Sequence, residues 1–208
     1  MIDRKWARCG LAILVVAALA MTGCSRSPSR IHPPSIDANA AGRQAVSQYD
    51  LDGDGRISGD ELERAPALKA ALARLDTDGD GAVTADDVTA RVRAWQESRV
   101  GRMSAAMTIL ANGRPLEGAI VTLDPEEFLG PNIQPATGLT EPDGMVMPSI
   151  EVRGNEPPGV APGFYLVRVT KMGMNIPARY NTETTLGIEL AQDAIELEEG
   201  ITFHLQLR

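Results

Sequence analysis

Cysteine is nearly missing from this chain of 208 residues: Cys9 and Cys24 are the two it has. Both stand in the first 24 residues, so no disulfide staples the remainder. Histidine is as scarce, with His32 and His204 alone, which excludes a zinc centre built from histidine and cysteine. Aromatic residues make up 4% of the chain. The core is therefore aliphatic, and few rings are available to stack on sugars or bases. Net positive charge is absent too. The formal charge is -8, which excludes nucleic acid as an electrostatic partner and disfavours anionic lipid surfaces. No nucleophile elbow, phosphate loop or zinc-type cluster occurs. These absences together lead us to expect a protein that is not an enzyme.

Long apolar runs are lacking as well, with one short exception near the start. Leu11 to Met21 is unbroken but only about 11 residues long, against the roughly 20 that cross a bilayer as a helix. Arg4, Lys5 and Arg8 precede it and Met21-Thr22-Gly23-Cys24 closes it. A positive start, a short apolar stretch and small residues read as an export signal over residues 1–23. Ser25 to Ala38 is rich in Ser, Pro and Arg, so a disordered tether is expected over residues 24–39.

What the chain has in excess is aspartate at alternate positions. Asp50, Asp52 and Asp54 precede Gly55; Asp76, Asp78 and Asp80 precede Gly81. Carboxylates packed this densely repel one another unless a hard, oxygen-seeking cation sits among them. Each set fits D-x-D-x-D-G with an acid at position 12, the EF-hand calcium loop. In the first loop Asp50, Asp52, Asp54, Ser58 and Glu61 supply side chains and Arg56 its carbonyl. In the second the roles fall to Asp76, Asp78, Asp80, Thr84 and Asp87, with the carbonyl of Ala82. Two Ca²⁺ sites are expected. Asp87 is one methylene shorter than the glutamate of position 12, which predicts a weaker or more Mg²⁺-tolerant second site. The eight acidic ligands equal the whole excess of 28 acids over 20 bases.

Helical periodicity surrounds the loops over residues 40–99. Ala41, Ala45 and Tyr49 share one face, as do Leu68, Leu72 and Leu75, and Val88, Val92 and Trp95. Pro66 suits a first helical turn, and Thr84 with Asp87 reads as a helix start. The loops begin about 26 residues apart, so the helices between them must be brief, with little apolar groove to expose. A structural calcium site is therefore expected rather than a switch. From 103 to 208 the signals are those of strands: Met107 to Leu110 before the turn pair Asn112-Gly113, Ala119 to Leu123, Phe164 to Thr170, Leu186 to Leu190 and Ile201 to Leu207. An all-β sandwich is expected to follow an all-α EF-hand pair, with residues 124–136 and 151–162 as variable edge loops.

Three resemblances add to this reading. Met21-Thr22-Gly23-Cys24 resembles a bacterial lipobox, which implies that Cys24 carries the acyl chains. Ser25 after it implies an outer-membrane location. Asp50 to Trp95 resembles the EF-hand pairs of secreted bacterial proteins. Gly113-Arg114-Pro115-Leu116-Glu117-Gly118-Ala119-Ile120-Val121 and Pro162-Gly163-Phe164-Tyr165-Leu166-Val167 resemble the carboxypeptidase regulatory-like, transthyretin-type domain. The whole arrangement is similar to lipoproteins of planctomycete-type bacteria. It implies a membrane-anchored, calcium-binding, non-catalytic surface protein with a spacer or adhesion domain and an envelope protein as partner. Two other classes stand beside it: a dockerin-like docking module, which Asp87 resembles, and an enzyme on a transthyretin-type fold, for which His204 is the sole strand histidine.

Overall fold

The computed structural model describes residues 31–152, 156–194 and 196–207. The export signal, Cys24 and the first part of the tether lie outside the described residues. No helix among those described is long and apolar enough to cross a membrane.

Helix α1, Ala38–Tyr49, starts where Asp37 accepts the Ala40 N–H at 2.9 Å, satisfying one of the free donors of the first turn. It buries Ala41, Ala45 and Tyr49, the face that the periodicity marks. The first loop leads into strand β1, Arg56–Ser58. Three short helices follow: α2, Asp60–Arg64; α3, Pro66–Ala70; and α4, Leu72–Leu75. Pro66 opens α3, where its missing N–H costs nothing. The second loop leads into β2, Ala82–Thr84, and then α5, Ala85–Ser98. Thr84 and Asp87 form a reciprocal capping box at its start, with aspartate in the place usually held by glutamate.

The region expected to be a tether to residue 39 is seated on the fold in its described part. Ile36 and Ala38 are buried. The Ile36 carbonyl accepts from Gln96 Nε2 at 2.7 Å, and the Ser35 carbonyl from Asn132 Nδ2 at 2.7 Å. An apolar residue and paired carbonyls explain the docking that the Ser/Pro composition does not foretell.

The β-rich region holds two further small sheets. One runs β10 (Ile201–Leu205), β3 (Met107–Ala111), β4 (Arg114–Pro115), with β7 (Met145–Val146) also on β3. The other runs β6 (Ala136–Leu139), β5 (Ile120–Pro125), β8 (Gly163–Thr170), β9 (Gly187–Leu190). Asn112 and Gly113 both take positive φ, 50° and 78°, as the tight β3–β4 turn requires. The β10–β3 pair is parallel, Ile201 opposite Met107; every other strand pair is antiparallel. Residues 124–136, expected as a variable edge, instead carry a 3₁₀ turn, Glu127–Leu129. Phe128, Leu129 and Ile133 from this segment are buried. Its apolar residues serve the core.

One core runs through both regions. Ala45, Leu68, Val92 and Trp95 belong to the same apolar cluster as Val121, Leu123, Phe164 and Val167. Trp95 meets Phe164 edge-on at 4.7 Å between ring centroids. Alternation along β8 directs Tyr165, Val167 and Val169 to one face with Val121 and Leu123, while Phe164 on the other face meets the helices. Gly187 on β9 marks the closest approach. A Cβ there would lie 2.2 Å from the Ala67 nitrogen and 2.2 Å from the Pro66 carbonyl carbon. Backbone cannot yield as a flexible side chain can. Gly187→Ala should therefore destabilise the protein by about 1–3 kcal/mol, the usual range for overpacking, as read from the midpoint of urea unfolding.

Candidate metal centre

The two loops meet across β1 and β2, which pair antiparallel with Ile57 opposite Val83. Both side chains are fully buried. This apolar pin places position 8 of one loop against position 8 of the other, and so sets the loops back to back.

Within each loop the aspartates are held before any metal arrives. Asp50 accepts from the Gly53 N–H at 2.7 Å and the Gly55 N–H at 2.8 Å, one on each oxygen. Asp76 does the same with Gly79 and Gly81, at 2.7 and 2.8 Å. Asp52 and Asp54 accept from N–H groups two residues on, as does Asp80. These turns need Gly55 and Gly81 at φ 87° and 79°, a region that side-chain-bearing residues rarely enter. The result is convergence. Oxygens of Asp50, Asp52 and Asp54 lie within 4.8 Å of one another, and so do those of Asp76, Asp78 and Asp80. Three converging carboxylates are the hard oxygen donors that calcium takes, so the residues present fit the ion. Backbone donors hold Asp76 below the usual carboxylate range, Gly81 above all.

Position 12 separates the loops. Glu61 reaches back to its own loop: Oε1 accepts the Leu51 N–H at 2.6 Å, and Oε2 accepts the Ser58 N–H at 3.0 Å. These donors, Ser58 first, hold its carboxyl low. Asp87 accepts from the Thr84 N–H at 2.8 Å and from Thr84 Oγ1 at 2.6 Å. The shorter side chain is occupied with capping α5. Arg56, expected to offer only its carbonyl, does more: its guanidinium pairs with Asp80 in the other loop. Ser58 and Ala82 stand opposite each other on β1 and β2.

Residues 47–65 and 68–89 match the EF hand family model. No curated protein and no solved structure matches the chain. The EF-hand module therefore carries the assignment, and the β-rich region is described by its own geometry.

Five residues outside the loops bear on them and went unread in the sequence. Glu189 of β9 has a fully buried side chain. It accepts from Arg74 Nε at 2.6 Å, from Trp95 Nε1 at 2.9 Å and from Arg91 Nε. Arg91 continues to Asp193 through two bonds of 2.8 and 2.7 Å, and Arg74 to Glu196 at 3.0 Å. Burial alone would lower the pKa of both guanidinium groups; the carboxylates more than offset it and hold both raised. Arg74 lies two residues before the second loop, and Arg91 four residues after it. A signal did exist. Arg91 falls at i+3 from Val88, on the apolar face, and Glu189 alternates with apolar residues in a strand.

The Arg56–Asp80 pair competes with metal for an oxygen of the second loop. Exposed pairs contribute little, so Arg56→Ala should tighten calcium at the second loop only slightly, and never weaken it, in a two-site titration.

Proposed function

We propose that this chain is an exported calcium-binding protein without catalytic function, anchored to the envelope through Cys24. Its EF-hand pair braces a transthyretin-type sandwich that acts as a spacer or adhesion domain. The triads, the loop geometry and the family match support calcium. The signal-like start and Met21-Thr22-Gly23-Cys24 support the anchor.

One observation carries the choice of brace over switch: both helices flanking the second loop hold the same buried carboxylate, Glu189. A sensor EF-hand opens by swinging its helices from about 130–140° to about 90–100°. Here that swing would separate α4 from α5 and strip Glu189 of an arginine. Removing one partner from a buried ion pair costs about 3–5 kcal/mol. Calcium at a hundredfold excess over its Kd yields about 2.7 kcal/mol per site. One site alone falls short of that cost, so in this reading its binding energy goes into holding the closed form.

Calcium should therefore raise a single unfolding transition. Far-ultraviolet circular dichroism reads the backbone, and near-ultraviolet reads the Trp95–Phe164 contact; both should move together on adding calcium. Glu189→Gln should lower that transition by the equivalent of about 3–5 kcal/mol. A β-region transition that ignores calcium while the helical signal shifts would sink the brace. For the anchor, cells fed a fatty-acid analogue should label the wild type and not Cys24→Ser; equal label in both would refute it.

A further inference from the structure

Two buried glutamates of the β-rich region hold the helices, and they are served differently. Glu189 meets two guanidinium groups and an indole. Glu126 meets one phenol: Tyr49 Oη donates to its Oε2 at 2.8 Å. Its Oε1 is buried with no hydrogen-bond partner. Among the described residues, neither an opposite charge nor a second donor meets this carboxylate. Tyr49 occupies a telling position. It is the last residue of α1 and precedes Asp50, the first ligand position. Its ring also meets Phe128 edge-on at 6.4 Å. The groups bearing on Glu126 are few. From α1 comes Tyr49, and from its own turn comes Glu127. β8 offers the Phe164 carbonyl, which accepts the Glu126 N–H at 3.0 Å.

We infer that Glu126 is a positioning residue for the first calcium loop: by holding Tyr49 it seats Asp50, and it exchanges its own proton against the metal. The inference rests on the calcium reading proposed above. Burial pushes the Glu126 carboxyl up to about 7, against the hydrogen bond from Tyr49 and with help from the charge of Glu127. Its charge therefore changes in the neutral range. With the proton on, the side chain sits neutral in an apolar seat. With the proton off, a buried negative charge stands behind the first loop, met by the Tyr49 hydroxyl alone among the described residues. Unfolded glutamate ionises lower, so this group favours the fold in acid, and that contribution is lost as pH rises through about 7. A divalent cation at Asp50, the residue after Tyr49, supplies positive charge on the side from which Tyr49 meets Glu126. Coupling of this kind is reciprocal: calcium favours loss of the proton, and loss of the proton favours calcium. First-loop affinity then climbs between about pH 6 and pH 8, above the range where exposed carboxylates ordinarily titrate.

Calorimetric calcium titrations of the full chain test this, in an Asp76→Asn background that weakens the second loop. They are run at about pH 6, 7 and 8 in buffers of different ionisation enthalpy. The parent should bind several-fold more tightly at the highest pH and release a fraction of a proton per calcium near neutrality. Glu126→Gln should bind equally at all three and release none. Tyr49→Phe removes the donor that favours the charged form, so its rise in affinity should move to higher pH. A parent that binds calcium with no pH dependence overturns the inference. So does a Glu126→Gln variant that keeps the parent's profile, or one that weakens binding equally at every pH, as a packing role would. Should Glu126→Gln fail to fold, an unshifted profile in Tyr49→Phe is decisive against it. A parent that binds no calcium at any pH refutes the function proposed above, and is told apart by that.

Discussion

A carboxylate sealed from water must hold a proton or be met by opposite charge; Glu189 is met by charge, and its burial imposes that demand on the whole fold. The arginines that meet it come from α4 and α5, and Trp95 adds an indole N–H. Satisfying one side chain of β9 thus fixes where the second loop's two helices stand. Gly187, two residues earlier, lets the Pro66–Ala67 backbone approach to a distance no side chain permits. Polar clamp and close approach together merge the helical and β-rich regions into one core. The net free energy of such a clamp is small when it forms, because desolvation offsets the attraction. Its weight lies in the cost of losing any one member.

The sequence was legible wherever a local rule sufficed. The convergence of the two aspartate triads, Pro66 at the start of α3, the Thr84–Asp87 cap and the Asn112-Gly113 turn all follow from short-range chemistry, and the structure places each accordingly. What was illegible depends on residues distant in sequence. Arg74 and Glu189 are more than a hundred positions apart, and no periodicity announces which acid a helical arginine will find. Residues 124–136 misled for a related reason. Proline and a loop-like composition suggested an exposed edge, whereas Phe128, Leu129 and Ile133 are buried and Phe128 meets Tyr49 of α1. The docking of Ile36 was masked by Ser and Pro neighbours. The parallel β10–β3 pair is likewise a matter of topology, which strand propensity does not address.

The two loops divide their advantages. The first has the better ligand at position 12: Glu61 spans back to Leu51 and Ser58, so its carboxylate already closes the loop. Its support from the β-rich region is a phenol on a carboxyl that wants a proton. The second has the poorer ligand, an aspartate occupied with Thr84 and a neighbour, Asp80, already paired to Arg56. Its support is the Glu189 clamp. Coordination strength and mechanical anchorage thus fall on different loops, and β1 with β2 is the sole backbone ladder between them.

That division bears on what a bound ion can do. At the second loop the helices are already fixed, so an ion there spends little on ordering them, although Asp80 and Asp87 are engaged by Arg56 and Thr84. Fixed surroundings also mean that little movement is transmitted outward. At the first loop the ligand set is complete while the seat behind Tyr49 depends on a proton. A change of occupancy there reaches the turn after β5 through one hydrogen bond and one ring contact. If the pair is a brace, the second loop bears the load; if any part of it responds to its surroundings, the physics favours the first.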